Sequence, residues 1–251
     1  MDGPLFRVAL KRRLRAPVLD ADVFCAACSD CFDRFADHAL VCQCKGDRTL
    51  RHNAVRDVFF SCAREGSLRP EKEKAGLLPP RPREDGLGAN SGTRRPADVW
   101  LPRGSDRRGE ALDFACSSAL RSGLLASTVD HAASVFENYE GFKRTHLDTE
   151  RIANEAGFQF TPMICEAHSG AWSLTARRVI DRISEAIAST SGEEKHVTSL
   201  RVAQRISVAL HRANARAILQ RVAAVKSSIP ERVTDESAAW EAAGRADVVW
   251  Q

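Results

Sequence analysis

The segments Ala97-Asp98-Val99-Trp100-Leu101 and Glu110-Ala111-Leu112-Asp113-Phe114-Ala115-Cys116 decide the fold of this chain. Both are short and apolar, and the stretch 102–109 between them is charged and contains glycine. Apolar segments joined by a turn of this kind are typical of a β-hairpin. We therefore predict two antiparallel strands that each carry one aspartate, Asp98 on the first and Asp113 on the second.

The two aspartates suggest a site for a divalent cation. Asp113 stands between Leu112 and Phe114, so strand alternation turns its side chain away from both. A solvated face is the common position of a single aspartate, but carboxylates on adjacent strands can converge on one ion that prefers oxygen ligands. Phosphodiester hydrolysis uses such a Mg²⁺ site, with a lysine that orients water or offsets developing charge. Glu73 and Lys143 are the further candidates.

The flanking sequence predicts a mixed α/β domain. Hydrophobic spacing predicts helices over 4–15, 49–64, 128–156 (one helix or two joined helices), 172–190 and 198–226, and extended segments over 68–74 and 158–165. Residues 77–95 are rich in proline and glycine and predict a loop. Gly192 is expected to separate the last two helices.

A cysteine cluster precedes this domain. Five of the eight cysteines fall within residues 25–44, and without a signal peptide such clusters indicate metal ligands rather than disulfides. Three thiolates and one imidazole at x2 and x3 spacing form the tetrahedral set of a structural zinc site. We predict that this site consists of Cys25, Cys28, His38 and Cys42. Cys31 and Cys44 are competing ligand candidates.

Composition limits the classes of protein that fit. The 251 residues are 43% hydrophobic, which is enough for a buried core, and no apolar run is long enough for a membrane span. The N-terminus has no apolar signal core, so secretion is not expected. The 37 basic and 33 acidic residues give a net charge of +4, which permits nucleic-acid binding.

Basic residues concentrate near the N-terminus and in the last predicted helix. The N-terminal stretch contains Lys11-Arg12-Arg13, and residues 200–232 contain many arginines and few acids. The common interpretation of such a helix is a solvated face. The alternative is an arm that follows DNA phosphates and gives salt-dependent affinity.

Three stretches together resemble the restriction-like endonuclease region at the C-terminus of reverse transcriptases from site-specific non-LTR retrotransposons. They are Cys25-x2-Cys28 through Asp37-His38-Ala39-Leu40-x-Cys42, then Gly46-Asp47-Arg48-x2-Arg51-His52-Asn53, and Arg95-Pro96-Ala97-Asp98 with Ala111-Leu112-Asp113. Tyr139-x3-Lys143 and Glu166 are similar to later landmarks of the family. The resemblance covers residues 4–220.

The resemblance implies a restriction-endonuclease-like αβββαβ core, a variant of the PD-(D/E)xK fold, with an N-terminal zinc knuckle and extra C-terminal helices. Asp98 and Asp113 match the two acids that hold catalytic Mg²⁺ or Mn²⁺, and Glu73 is similar to the acid of the first strand. The implied function is metal-dependent hydrolysis of DNA phosphodiester bonds.

The chain departs from the family pattern at two positions. Ala97 separates proline from aspartate, and Ala115 occupies the position of the usual lysine. Family variants move that lysine to the following helix, where Lys143 is the matching candidate. Glu166, at the end of a predicted strand, is either a further ligand or a surface acid.

The resemblance also implies partners and a location. Double-stranded DNA is the expected substrate, RNA or a reverse transcriptase of the same element is a possible partner, and the nucleus is the expected location. Four residues are expected to contact DNA phosphates: Arg48, Arg51, His52 and Arg95. In the alternative, His52 and Asn53 cap and pack their helix. A histidine general base paired with Asn53 is a rival mechanism, but the second histidine that it needs is missing.

These observations predict five segments and three alternative functions. The segments are a basic arm (1–24), a zinc knuckle (25–47), the endonuclease-like core (48–192), an Arg-rich helix (193–230) and a tail (231–251). The leading hypothesis is the endonuclease. The alternatives are a catalytically inactive, zinc-dependent nucleic-acid-binding module and a zinc-stabilised protein-interaction domain.

Overall fold

A four-stranded mixed sheet organises the part of the chain that the computed structural model describes, residues 2–79 and 96–228. Its strands, which neighbour one another in chain order, are β3 (Glu71–Lys72), β4 (Val99–Leu101), β5 (Gly109–Ser117) and β6 (Phe158–Glu166). A separate two-stranded hairpin is formed by β1 (Val23–Phe24) and β2 (Cys31–Phe32). The fold is therefore mixed α/β, as predicted.

The predicted hairpin is confirmed, and it forms the centre of the sheet. Strand β4 pairs antiparallel with β5, with Trp100 opposite Ala111. Strand β3 adds antiparallel pairing on the outer side of β4. On its other side, β5 pairs in parallel with β6 along its whole length, and Asp113 stands opposite Pro162. Parallel pairing requires a crossover, which is supplied by the helices between β5 and β6.

Eight α-helices surround the two sheets in the described residues. They are α1 (Gly3–Arg13), α2 (His38–Val41), α3 (Asp47–Glu65), α4 (Ser122–Asp130), α5 (Ser134–Thr145), α6 (Thr149–Glu155), α7 (Leu174–Ser191) and α8 (Lys195–Ser228). None of these helices is both long and apolar enough to cross a membrane.

The region 128–156, predicted as one helix or two joined helices, contains α5 and α6, preceded by the last three residues of α4. The break between α5 and α6 lies at Leu147 and Asp148, whose φ values are 53° and 52°. A left-handed backbone cannot continue a right-handed helix, which fixes the boundary. Gly192, with φ of 74°, ends α7 as predicted, since glycine adopts this conformation without a steric cost.

The main core lies between one face of the sheet and helices α3, α7 and α8. It includes Phe59 from α3, Phe114 from β5 and Ile206 from α8. The opposite face carries Trp100 and Ala111, which pack with α6. Because strand side chains alternate between faces, Asp98 and Asp113, two residues from Trp100 and Ala111, lie on that opposite face as well.

The N-terminal residues pack onto the far part of α8. Leu5 and Val8 of α1, Phe32 of β2 and Ile218 of α8 form one buried cluster. The predicted basic arm is thus largely a helix with a buried side. The predicted loop beyond residue 79, Arg95 and the tail 231–251 lie outside the described residues.

Candidate active site and metal centre

The four predicted zinc ligands lie together. One potential ligand atom from each of Cys25, Cys28, His38 and Cys42 falls in a group whose members are all within 4.8 Å of one another. Cys28 Sγ is 3.1 Å from His38 Nε2 and 3.6 Å from Cys42 Sγ. This cluster could hold a metal ion, and three sulfurs with one imidazole nitrogen are a donor set that suits zinc.

Local structure explains how residues from three short elements meet. The turn between β1 and β2 carries Cys25 and Cys28, and the Ser29 amide donates to the Cys25 carbonyl at 2.9 Å. His38 begins α2 and Cys42 follows its last residue, so one helical turn brings their side chains to the same side. Burial lowers the pKa of His38, which favours the neutral imidazole that binds metals.

The competing cysteines lie outside this group. Cys31 is exposed on β2, and Cys44 is partly exposed beyond Cys42. Neither contributes an atom to the group of four. Their positions make them useful controls, because each is a cysteine of the same segment whose sulfur is not among the clustered atoms.

The two predicted acids converge from neighbouring strands. Asp98 immediately precedes β4 and Asp113 lies within β5, each one residue beyond the paired Val99 and Leu112, and Asp98 adds to the raised pKa of Asp113. Asp98 Oδ2 accepts a hydrogen bond of 2.6 Å from the Phe114 amide. The side chains of both acids are about one-fifth exposed, so a small ligand can reach them from solvent.

Lys143 reaches the same pair from α5. Its Nζ donates to Asp113 Oδ2 at 2.7 Å and lies 3.5 Å from the Phe114 carbonyl oxygen. The structure thus places an ammonium group beside the second acid. A cavity of about 260 Å³ beside this ion pair is lined by both Asp113 and Lys143.

The pKa values of the two acids are pushed in opposite directions. Burial raises the pKa of Asp113 to about 6, and the neighbouring Asp98 carboxylate adds to that increase while Lys143 opposes it. Burial also raises the pKa of Asp98, but hydrogen bonds from His52 and the Phe114 amide outweigh burial and hold it below its usual value. Asp98 is therefore the more readily ionised acid of the pair.

His52 belongs to the acid site, a position that sequence analysis missed. Its Nε2 lies 2.9 Å from Asp98 Oδ2, and the hydrogen bond to Asp98 raises the pKa of His52. The imidazole therefore donates to Asp98 and is not free to bind a DNA phosphate. No sequence signal could reveal this pairing, because helix α3 carries His52 to a strand 46 residues further along the chain.

Glu73 lies beside the acid pair at the edge of the sheet. Its amide donates to the Asp98 carbonyl oxygen at 3.0 Å, which places it next to Asp98 along the edge of the sheet. Its half-exposed carboxylate forms an ion pair with Arg56 of α3. The structure brings Glu73 near the predicted site but directs its carboxylate toward Arg56.

The other residues predicted to contact DNA divide into two groups. Arg51 is buried, and its guanidinium donates to the Leu40 carbonyl at 2.9 Å and to Asn214 Oδ1 at 3.1 Å. The guanidinium of Arg51 thus joins α3 to residues 25–47, called the metal segment below, and to α8. Arg48 is exposed on the first turn of α3, where a ligand can reach it.

Glu166 has a different role from both sequence interpretations. It is buried, and its carboxylate accepts hydrogen bonds from the backbone amides of Ala119, His168 and Ser169. A carboxylate that is occupied in this way fixes the loops beyond β5 and β6. Glu166 is thus neither a surface acid nor a member of the Asp98–Asp113 pair.

The Arg-rich helix α8 is also more buried than predicted. Arg221 is 2% exposed, and its guanidinium lies 2.7 Å from Asp47 Oδ2 and donates to the Cys44 carbonyl at 3.1 Å. Arg205 pairs with Glu65 of α3 at 2.5 Å. These ion pairs connect α8 to α3 and to the metal segment, so several of its arginines stabilise the domain.

Comparison with known proteins adds no assignment. The chain matches no protein-family model and no curated protein sequence. The features that bear on function are therefore the acid pair with Lys143 and the cluster of Cys25, Cys28, His38 and Cys42.

Proposed function

We propose that this protein is a metal-dependent DNA endonuclease that hydrolyses phosphodiester bonds. The observation that carries the proposal is the convergence of Asp98, Asp113 and Lys143 in one partly exposed site. Two carboxylates and a lysine are the groups that such hydrolysis needs. The resemblance to the restriction-like endonuclease of non-LTR retrotransposons supports the same function and suggests a restriction-endonuclease-like core.

The acid pair fits a divalent cation such as Mg²⁺ or Mn²⁺. The Asp98 carboxylate contributes to the raised pKa of Asp113, which means that the two negative charges repel each other in the absence of a further cation. Both residues offer oxygen atoms, the ligands that these ions prefer. When bound, the ion would polarise a phosphoryl oxygen and lower the pKa of a coordinated water.

The residues around the acid pair would each have a separate role in the reaction. His52 and the Phe114 amide hold the Asp98 carboxylate in place. Asp113 must lose its proton before it can act as a ligand. Lys143 would then donate a hydrogen bond to the attacking water or to a phosphoryl oxygen that gains negative charge.

The metal cluster is proposed to bind zinc and to support the DNA-binding surface rather than the reaction. Four protein ligands fill a tetrahedral site and leave no position for substrate. Arg51 connects this segment to α3, the helix that carries His52. Folding of the metal segment would thereby help to position the acid site. Double-stranded chromosomal DNA as substrate implies action in the nucleus, with RNA or a reverse transcriptase as a further proposed partner.

A plasmid-nicking assay tests the proposed reaction. We expect the zinc-loaded full chain to convert supercoiled plasmid to nicked or linear forms when Mg²⁺ or Mn²⁺ is added, and Asp98→Ala and Asp113→Ala to abolish this conversion. Asp106→Ala is the matched control, because Asp106 is an exposed acid in the turn of the same hairpin. Equal cleavage by all four proteins would contradict the proposal.

One observation favours the second candidate, a catalytically inactive nucleic-acid-binding module. Asp98 is already bound by His52 and a backbone amide, and Asp113 by Lys143, so the acid pair is partly satisfied without a metal ion. This candidate predicts that the wild-type protein binds duplex DNA but leaves it uncut at every Mg²⁺ and Mn²⁺ concentration. Binding and cleavage measured on the same duplex separate the two candidates.

A further inference from the structure

A second polar site adjoins the acid site and shares Lys143 and Tyr139 with the cavity of about 260 Å³ beside the Lys143–Asp113 ion pair. A groove formed by two adjoining cavities, which share Arg48 and Tyr139, has Lys143 and His52 at one end and Arg121, just before α4, at the other. We call it the basic groove, and its far end is lined by Gln43, Arg48, Ser117, Ser118, Arg121 and Tyr139. No aspartate or glutamate is present among the described residues that line the basic groove.

Two arginines at this groove have no anionic partner within the described part of the chain. Arg48 comes from α3 and Arg121 immediately precedes α4, and both are exposed. By contrast, other arginines of the fold are engaged with acids, as Arg205 is with Glu65 and Arg221 with Asp47. Two guanidinium groups beside one polar groove provide the charge and the planar donors that phosphate oxygens bind.

Ser117 supplies an independent indication of a ligand. Ser117 is only 3% exposed and is one of the residues that line the far end of the basic groove, and among the described residues its Oγ has no hydrogen-bond partner. A buried hydroxyl without a partner is costly, so such groups usually bind something. Helix α4, nine residues long, begins beside it with Arg121 at its N-cap and no side-chain cap.

We propose that the far end of the basic groove is a second phosphate subsite, in which Arg48, Arg121 and Ser117 Oγ bind a phosphodiester that neighbours the one to be cut. The inference rests on the proposed function, because it takes the occupant to be the DNA strand that enters the acid site. Because the two cavities of the groove share Arg48 and Tyr139, a strand that enters the acid site is expected to extend into the far end. Contacts to phosphate give affinity and register without reading the base sequence.

Duplex binding measured without added Mg²⁺ or Mn²⁺ tests this subsite separately from catalysis. We expect Arg121→Gln to weaken binding of a fluorescent duplex about tenfold for every sequence, and to reduce the slope of log K against log salt by about 1. Arg177→Gln is the matched control, because Arg177 is an exposed arginine on α7 that lies away from the groove. Equal affinity of Arg121→Gln and Arg177→Gln would overturn the subsite.

Ser117→Ala provides a second variant that does not depend on charge. Removing a buried hydroxyl that lacks a partner should not lower the unfolding temperature, whereas it should weaken DNA binding if that hydroxyl binds phosphate. Unchanged affinity with an unchanged unfolding temperature would contradict the role of Ser117.

Inorganic phosphate at matched ionic strength is the probe for a free anion. Stabilisation of the wild type by phosphate, with no effect on duplex affinity in either variant, would overturn the DNA assignment.

A set of duplexes that each carry one neutral methylphosphonate locates the bound phosphate. For the wild type, a methylphosphonate at one position beside the cut should reduce duplex affinity. In Arg121→Gln the same methylphosphonate should reduce the affinity little further, because the losses from two partners of one contact are not additive. A purely additive loss at every position would overturn the subsite. If this coupling is found but wild-type protein never cuts DNA, the subsite stands and the endonuclease proposal fails. If wild type cuts DNA and Arg121→Gln binds and cuts DNA equally well, the endonuclease proposal stands and the subsite fails.

Discussion

Lys143 Nζ lies 2.7 Å from Asp113 Oδ2, although 30 residues separate them in the chain. Helix α5 belongs to the connection between β5 and β6. It brings Lys143 back beside β5, the strand that carries Asp113. The ammonium group opposes the effect of burial on the pKa of Asp113. Lys143 therefore helps to set the pH at which Asp113 becomes anionic.

This relationship predicts the pH dependence of cleavage. Burial raises the pKa of Asp113 to about 6, so DNA cleavage at a Mg²⁺ concentration well below saturation should increase as the pH rises through about 6. Lys143→Met removes the opposing positive charge, and the residual activity should reach its plateau at a higher pH because the pKa of Asp113 rises further. Cleavage rates measured from pH 5 to pH 9 provide the test.

Lys195→Met is the control for that pH profile. Lys195 is exposed on α8 and pairs with Glu185, away from the acid site. Its variant should keep the wild-type midpoint. An identical midpoint in Lys143→Met and wild type would show that Lys143 does not control the ionisation of Asp113.

Loss of a zinc ligand should destabilise the N-terminal part of the fold. Zinc binding to such a ligand set supplies on the order of 10 kcal/mol, and Cys25 and Cys42 belong to the same buried cluster as α1 and α8. Cys42→Ser should therefore lose bound zinc and lower the unfolding temperature. Metal analysis of the purified protein and thermal unfolding provide the two measurements.

Cys31→Ser distinguishes ligation from a general effect of losing a cysteine. Cys31 lies in the same segment but is exposed and outside the clustered ligand atoms. Its variant should retain zinc and unfold at the wild-type temperature. Loss of zinc from Cys31→Ser alone would mean that the ligand set has been assigned incorrectly.

The buried ion pair between Arg221 and Asp47 should make a large contribution to stability. Arg221→Gln leaves the Asp47 carboxylate buried without its partner, which costs about 3–5 kcal/mol of unfolding free energy. Arg216→Gln, at an exposed position on the same helix, should change the free energy by about 0.5 kcal/mol or less. Urea denaturation compares the two. Similar losses in both variants would indicate that Arg221 acts only through the net charge of α8.

His168 should make stability depend on pH below neutrality. Burial lowers its pKa to about 4, with a smaller contribution from Arg12, whereas the unfolded chain has a histidine pKa of about 6.5. Between these values the unfolded state binds more protons, so stability increases with pH in this range and is lost as the pH falls toward 4. Urea denaturation at pH 4.5 and pH 7.5 should show a smaller difference for His168→Asn than for wild type.

His196→Asn is the control for this measurement, because His196 is exposed near the start of α8. It should keep the pH dependence of wild type. A wild-type response in His168→Asn would assign the acid sensitivity of the fold to other groups.

The sequence by itself determined the features that depend on near neighbours. The β4–β5 hairpin follows from two apolar segments and the turn between them, the end of α7 follows from Gly192, and the cysteine spacing identified the four clustered residues of the metal centre. Each of these depends on a few consecutive residues, whose conformations are limited by local sterics and periodicity.

Only the tertiary structure decided which distant side chains meet. The hydrogen bond between His52 and Asp98, the burial of Arg51 and Arg221, and the capture of Glu166 by backbone amides all join residues from different elements. In an amphipathic helix, the sequence around an exposed arginine looks the same as the sequence around a buried one. The packing of α8 against α3 determines which arginines of α8 are buried. The physical reason is that burial and pairing depend on the arrangement of whole helices and strands, which no short stretch of sequence specifies.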